Sequence, residues 1–280
     1  MNESEFIAAL RGLPLHPGAR GLKDDCAHVE GLVITHDTMA EGTHFRAEAD
    51  MADVAWKLVA SNLSDLAAKG AEPVGVLLSY CLGRDDQQFL DGLSQALETF
   101  DVPLLGGDTV RTTGPRIFGM TAIGRATQLP TPPRSGANPG DAIYVTGTLG
   151  RAMLGFEGDP DHIEAYNRPR PLLSEGQALA PHVSAMMDVS DGLLLDALRM
   201  ASASNRTFAI DSSSIPVADE TRRNECLRWG DDYQLLFTIR EGVEPAVPAS
   251  RIGTVVDRGE ALLILDGDPI TSAEGLGYQH

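Results

Sequence analysis

Cysteine is scarce in this chain. Cys26, Cys81 and Cys226 lie far apart, with no C-x-x-C spacing. That excludes a disulfide framework and a cysteine zinc site, and it fits a reducing cytoplasm. No second histidine stands at zinc-ligand spacing from His44. Positive charge is also scarce: 22 Lys and Arg face 40 Asp and Glu, for a formal net charge of −18 at pH 7. Nucleic acid calls for clustered basic residues, and an anionic membrane attracts them, so neither partner is expected. No apolar run is long enough to span a bilayer. The opening Met-Asn-Glu-Ser-Glu-Phe lacks the basic-then-apolar pattern of a secretory leader. There is no G-x-x-x-x-G-K-[ST] loop, no protein-kinase motif set, no strand–GxGxxG–helix and no G-x-S-x-G elbow. Any phosphates bound here are therefore held by metals and backbone rather than by a Walker lysine.

Apolar residues are plentiful. They make up 42% of 280 residues, enough for the cores of two domains. Four prolines and two glycines between Leu129 and Asp141 oppose both helix and central strand, which puts the boundary near 135 and gives units 1–135 and 136–280. In the first unit, strands are expected at Leu32–His36, Pro73–Cys81, Val102–Leu105 and Ile117–Gly124. Helices are expected at Asp50–Lys69, with Asp50 as cap and Gly70 as stop, and at Asp85–Phe100. In the second unit, strands are expected at Ala142–Thr146, Phe208–Asp211, Tyr233–Ile239, Arg251–Val256 and Ala261–Leu265, and a strand end at Met186–Asp188. Its helices are expected at Leu173–Pro181 and Gly192–Ala203. The fold class is α+β or α/β: two mixed α/β domains, the first a βαβ-type sheet with helices on one face.

Aspartates recur where these strands end. Asp24-Asp25, Asp37, Asp108 in Leu-Leu-Gly-Gly-Asp-Thr, and Asp188 and Asp191 in Asp-Val-Ser-Asp-Gly are of this kind. Asp65 lies inside a helix, where Asp is a poor helix former, beside Ser61, Asn62 and Ser64. Lys69, four residues on, is within ion-pair reach of it on a helix surface. Each acid alone is an ordinary cap or turn residue. Converging, they would repel one another strongly, and bound cations would be needed to hold them together. Mg²⁺ is shared in this way between carboxylates and substrate phosphates. The chain thus reads as a Mg²⁺–nucleotide enzyme.

Taken in order, the motifs resemble the thiamine-monophosphate kinase family, within the superfamily of aminoimidazole-ribotide and selenophosphate synthetases. The matching segments are Asp-Asp-Cys-Ala (24–27), Thr-His-Asp-Thr (35–38), Glu-Gly-Thr-His-Phe (41–45) and Asn-Leu-Ser-Asp-Leu-Ala-Ala-Lys-Gly-Ala (62–71). Gly-Gly-Asp-Thr (106–109), Arg-Ser-Gly-Ala (134–137), Tyr-Val-Thr-Gly-Thr (144–148), Asp-Val-Ser-Asp-Gly (188–192) and Gly-Asp-Asp-Tyr (230–233) follow. The resemblance implies a cytoplasmic homodimer, paired through its N-terminal domains, that uses ATP to phosphorylate thiamine monophosphate to the diphosphate with several Mg²⁺ ions. It implies metal contacts at Asp25, Thr35, His36, Asp37, Asp65, Asp108, Asp188 and Asp191. ATP contacts are implied at Gly107, Asp108, Arg134 and Ser190, and substrate contacts at His44, Asp231 and Tyr278. The chain departs from the family pattern at Lys23, His36, Lys69 and Asp231, where Gly, a small hydroxyl residue, Met and Glu are usual.

No general base stands out. A phosphate monoester, with a second pKa of about 6, is already anionic at neutral pH and needs none. Direct in-line transfer between metal-bridged phosphates fits that inventory. Two other readings stay open: another ATP-dependent synthetase of the superfamily, and a non-catalytic nucleotide- or metal-binding protein with a degenerate site.

Overall fold

The computed structural model describes residues 3–279. Helix α1 (Glu3–Leu10) and a 3₁₀ stretch (Pro17–Leu22) precede the first sheet. The sheet contains β1 (Ala27–Val29), β2 (Leu32–Ala40), β3 (Ala71–Leu82), β4 (Leu104–Arg111) and β5 (Ile117–Ala126), in the spatial order β1-β2-β5-β3-β4. Helix α2 (Met51–Ala68) joins β2 to β3, and α3 (Asp86–Thr99) joins β3 to β4. β4 runs parallel to β3, so a crossover such as α3 is required between them.

The second sheet has seven strands, in the order β12-β11-β8-β10-β6-β9-β7. In chain order its elements are β6 (Ala142–Thr146), α4 (Arg151–Phe156), α5 (Ile163–Asn167), α6 (Leu173–Leu179), β7 (Val183–Val189), α7 (Leu193–Ser204) and β8 (Thr207–Ile210). Then follow α8 (Arg223–Cys226), β9 (Gln234–Ile239), β10 (Ala249–Val256), β11 (Leu263–Leu265) and β12 (Asp268–Ile270). Only the β8–β11 pairing is parallel among the described residues of this sheet. The architecture is two mixed α/β sheet domains.

Helix α2 ties the two sheets together. Asp50 caps it, accepting from the Ala52 N–H at 2.8 Å. Val54, Leu58, Leu63 and Leu66 bury one flank in the core of the first sheet with Phe89, Phe118 and Met120. Ala67 and Ala68, in the last turn, pack instead with Met186, Leu235 and Phe237 of the second sheet. The segment from Asp65 to Gly70 therefore lies where the two domains meet.

The first sheet has one covered face and one open face. Side chains alternate along a strand, so Thr35 and Asp37 of β2 lie toward α2 while His36 and Thr38 project from the other side. The register carries that open side across the sheet: Thr38 pairs with Gly119, Gly119 with Ser79, and Ser79 with Asp108. β4 is the edge strand, and all eight of its residues are exposed. Leu77, Leu105, Val110 and Ile117 are exposed apolar residues on this sheet.

The strand expected to stop at Leu105 continues as β4 through Gly106 and Gly107. At Gly107 φ is 156°, and a Cβ would fall 1.9 Å from the Leu78 carbonyl oxygen, so only glycine lets the strand lie this close to β3. Helices α1, α4, α5 and α8 and strands β1 and β12 were not expected; all but the eight-residue α1 are three to six residues long, too short for a period to show.

Candidate functional site

A cavity of about 750 Å³ opens between the two sheets. Helix α2 forms one wall. Lys57, Ser61 and Asp65, at four-residue intervals, line the cavity as a polar stripe on an otherwise buried helix. β2 contributes Asp37, the end of β7 contributes Asp188, and the turn into α7 contributes Ser190 and Asp191.

Oxygens of Asp25, Asp65 and Asp188 come within 4.8 Å of one another. They are fastened individually. The Thr35 hydroxyl donates to Asp65. The Ser64 hydroxyl donates to Asp188 at 2.6 Å. The Asn62 side-chain oxygen accepts from the Asp37 N–H at 3.0 Å. The polar flank of α2 thus positions acids of β2 and β7 through Asn62 and Ser64, while Thr35 of β2 holds Asp65 of α2 itself.

The electrostatics divide the cluster in two. Burial, with the carboxylates of Asp37, Asp188 and Asp25 nearby, pushes Asp65 well above the usual carboxylate range. Burial and the Asp25 charge raise Asp188 to about 8, against the opposing hydrogen bond from Ser64. Asp25 goes the other way. Burial would raise it, but Arg134 and Lys69 outweigh burial and hold it well below the usual range. Lys69 is fully buried, with Nζ 2.5 Å from Asp24 and 2.6 Å from Asp25, and it donates to the Met186 carbonyl at 3.1 Å. Burial disfavours its charge, yet Asp25 and Asp24 hold the ammonium protonated far up the pH scale. Three cations, Arg20, Lys69 and Arg134, therefore neutralise the Asp24–Asp25 side. On the other side, Asp65 and Asp188 are held by hydroxyl groups, Thr35 and Ser64, and present carboxyl oxygens that can accept a cation.

The far end of the cavity has a different lining. Phe156, Tyr166 and Trp229 form an aromatic wall, with Phe156 5.3 Å from Tyr166 and 5.0 Å from Trp229 between ring centroids. His44, Asp231 and Tyr278 line the cavity as well. Asp231 accepts from the Tyr233 hydroxyl at 3.1 Å and pairs with Lys57 at 2.7 Å. Its backbone φ is +56°, and that of Tyr233 is +48°, a strained loop of the kind that aims side chains into sites. The N–H of Tyr278 donates to the Asp191 carbonyl at 2.9 Å, which lays the C-terminal segment along the cavity.

Not every expected residue faces this space. Asp108 and Gly107 sit on the exposed edge strand, and Asp108 projects from the open side of the sheet, away from α2. Three strand spacings, about 14 Å, separate β4 from β2. Asp108 therefore stays outside the acid cluster of its own chain, contrary to the expected convergence. His36 lines the cavity, but its ring turns away from the acid cluster. Its ring meets Thr121 at 2.9 Å and Thr38 at 3.3 Å on the open face. Arg134 pairs with Asp25. Lys69 does not reach Asp65 as a surface pair, because the end of α2 is buried between the sheets.

Residues 23–126 match the AIR synthase related protein, N-terminal domain, and residues 138–265 match the AIR synthase related protein, C-terminal domain. The thiamine-monophosphate kinase of Escherichia coli (strain K12) is 36% identical over 304 residues, spanning 93% of this chain and 91% of that protein. The chain belongs to the thiamine-monophosphate kinase family. A structure of AaThiL complexed with AMPPCP and TMP is 27% identical, with a TM-score of 0.87, covering 100% of this chain and 97% of that one. Thiamine monophosphate kinase from Aquifex aeolicus is 26% identical, with a TM-score of 0.82, covering 95% and 96%.

Several side chains that shape the site in this member of the thiamine-monophosphate kinase family were not singled out in the sequence. Asp196, fully buried, accepts from the Ser190 and Asp191 N–H groups at 3.1 Å each, and Arg199 bridges it to Asp191. Burial and the Asp191 charge raise Asp196 to about 7. Gly192 opens α7 with φ +107°, and a Cβ there would fall 2.8 Å from the Arg228 backbone. The Leu-rich pattern after Gly192 signals the helix but not the role of its buried acid. Lys57 and the three aromatic rings were missed as well, because a lysine on a helix and dispersed aromatics carry no motif.

Proposed function

We propose that this chain uses ATP to phosphorylate thiamine monophosphate to thiamine diphosphate, with Mg²⁺, in the cavity between its two sheets. The observation that carries the reading is the set of carboxylates, Asp25, Asp65 and Asp188, within 4.8 Å of one another, with Asp65 and Asp188 lining that cavity, in a chain of this family. A relative of the same fold is complexed with AMPPCP and TMP, a pair that matches a cavity with an acidic end and an aromatic end. The donor set fits Mg²⁺: all oxygen, with two carboxyls pushed upward by burial and mutual repulsion. Asp37, Asp65 and Asp188 would hold the metal. Bound there, Mg²⁺ supplies the positive charge that offsets repulsion between donor and acceptor phosphates.

The chain's own residues supply position. Thr35, Ser64 and Asn62 fix the acids, and Asp196 with Arg199 fixes the Ser190–Asp191 turn beside the nucleotide. The aromatic wall and Asp231 suit an acceptor with a flat cationic ring. An acceptor phosphate is already anionic, so no group is needed to take a proton from the nucleophile.

The open face of the first sheet supports a homodimer. Its exposed apolar residues and unpaired edge strand suit a second copy, which would also bring Asp108 and Gly107 to a site they cannot reach within one chain. Residues 1–135 would form the dimerising unit and 136–280 the second. No helix among the described residues is long and apolar enough to cross a membrane, and we place the enzyme in the cytoplasm.

The test is an acceptor assay. With ATP and Mg²⁺, purified protein is expected to convert thiamine monophosphate to the diphosphate. Thiamine itself, an alcohol that must lose a proton during attack, is expected to react about a hundredfold or more slowly. EDTA is expected to abolish turnover. Comparable turnover of both acceptors would overturn the assigned acceptor, and turnover of neither would overturn the enzyme.

A further inference from the structure

Lys57 is not placed like a surface lysine. Its side chain is 7% exposed, with Nζ 2.7 Å from the Asp231 carboxylate and 3.8 Å from the centroid of the Tyr166 ring. The pair joins residues 174 apart in sequence, across the cavity. An ammonium held between a carboxylate and an aromatic face occupies the combination that recognises an organic cation. The acceptor proposed above carries such a cation, its thiazolium ring, and it also carries a phosphate. Lys57 and the thiazolium therefore compete for the same two partners.

We infer that Lys57 is the residue that selects the phosphorylated acceptor, through an exchange of ion pairs. The inference rests on the proposed function and deepens it. The ring of the entering acceptor takes Asp231 and the Tyr166 face. The displaced ammonium turns along α2 toward Ser61 and Asp65, where the acceptor phosphate must lie to meet the nucleotide. A zwitterion satisfies both charges. An acceptor lacking the phosphate takes Asp231 and brings no anion to replace it at Lys57, a nearly buried position, which is costly. Discrimination against unphosphorylated thiamine thus begins at binding, before any chemistry. Lys57 forms no covalent bond and transfers no proton in this exchange.

Calorimetric titration without nucleotide separates this role from a structural one. Thiamine monophosphate and thiamine are titrated, in Mg²⁺ buffer, into the wild-type protein, Lys57→Met and Lys57→Arg. Wild type is expected to prefer the monophosphate. Lys57→Met is expected to lose about tenfold or more of that preference, and Lys57→Arg to keep most of it. Binding of a non-hydrolysable ATP analogue reports whether each variant is folded, and Lys57→Gln replaces Lys57→Met if the latter is not. An unchanged preference in a folded, neutral variant would overturn the exchange while leaving the proposed function standing. A wild-type protein that binds neither acceptor would overturn the proposed function itself.

Discussion

Asp65→Asn is expected to slow phosphoryl transfer by roughly 10²–10³-fold, the scale of losing one preorganised electrostatic group, while making the metal-free protein more stable. Both effects come from the same surroundings. Asp65 is half-buried and faces the carboxylates of Asp37, Asp188 and Asp25, and desolvation with their charges raises its pKa well above the ordinary 3.8. A raised acid binds its proton more tightly in the folded chain than in the unfolded one. Folding is then unhindered by this group below pH 4 or so, and it is increasingly penalised as pH rises above the unfolded value. Asparagine keeps an oxygen for the Thr35 hydroxyl but carries no charge, so it escapes the penalty. Thermal melts in EDTA are expected to show wild type and variant converging near pH 4, with the variant higher at pH 7. Added Mg²⁺ is expected to stabilise wild type more than the variant. A variant that transfers phosphate at the wild-type rate would remove Asp65 from the cation site.

Mixing two inactive variants is expected to restore activity. Asp108 lies on the open face of the first sheet, on a strand edge whose eight residues are all exposed. A substitution there has no core to disturb, so Asp108→Asn is expected to fold normally and lose transfer. If Asp108 serves the acid cluster of a second copy, a dimer of one Asp65→Asn chain and one Asp108→Asn chain has one fully intact site and one doubly damaged site. Random pairing makes half of all dimers mixed, so co-refolded or co-expressed chains are expected to recover about a quarter of wild-type activity. Each variant alone stays near background. No recovery in a verified mixed dimer would mean that Asp108 does not act across the interface.

Much of this architecture can be seen in the chain before folding, where the signals are local. The helix expected at Asp50–Lys69 forms at Met51–Ala68, because a capping carboxylate and a regular apolar period act within one segment. The strand expected at Ala142–Thr146 forms with those bounds. The acids at 37, 65, 188 and 191 share a cavity because strand ends and an unusually polar helix flank are local features too.

The misses depend on distant partners. Gly106-Gly107 reads as a turn, and only the closeness of β3 shows why glycine is needed in a continuing strand. His36 and Asp37 are neighbours in sequence, yet alternation sends them to opposite faces, and which face meets α2 follows from strand order. Lys69 lies four residues from Asp65 but is claimed by Asp24 and Asp25, because the end of α2 is wedged between two sheets. Asp108 looks like one more member of the acid set until the register puts it on the far side of the sheet.

The central claim is that Asp37, Asp65 and Asp188 hold cations beside the nucleotide. Anomalous diffraction from crystals grown with Mn²⁺ and a non-hydrolysable ATP analogue tests it most directly. The expected result is anomalous density in contact with the carboxylates of Asp65 and Asp188 and with the phosphates of the analogue. Density confined to surface acids, or nucleotide bound with no metal at these carboxylates, would contradict it.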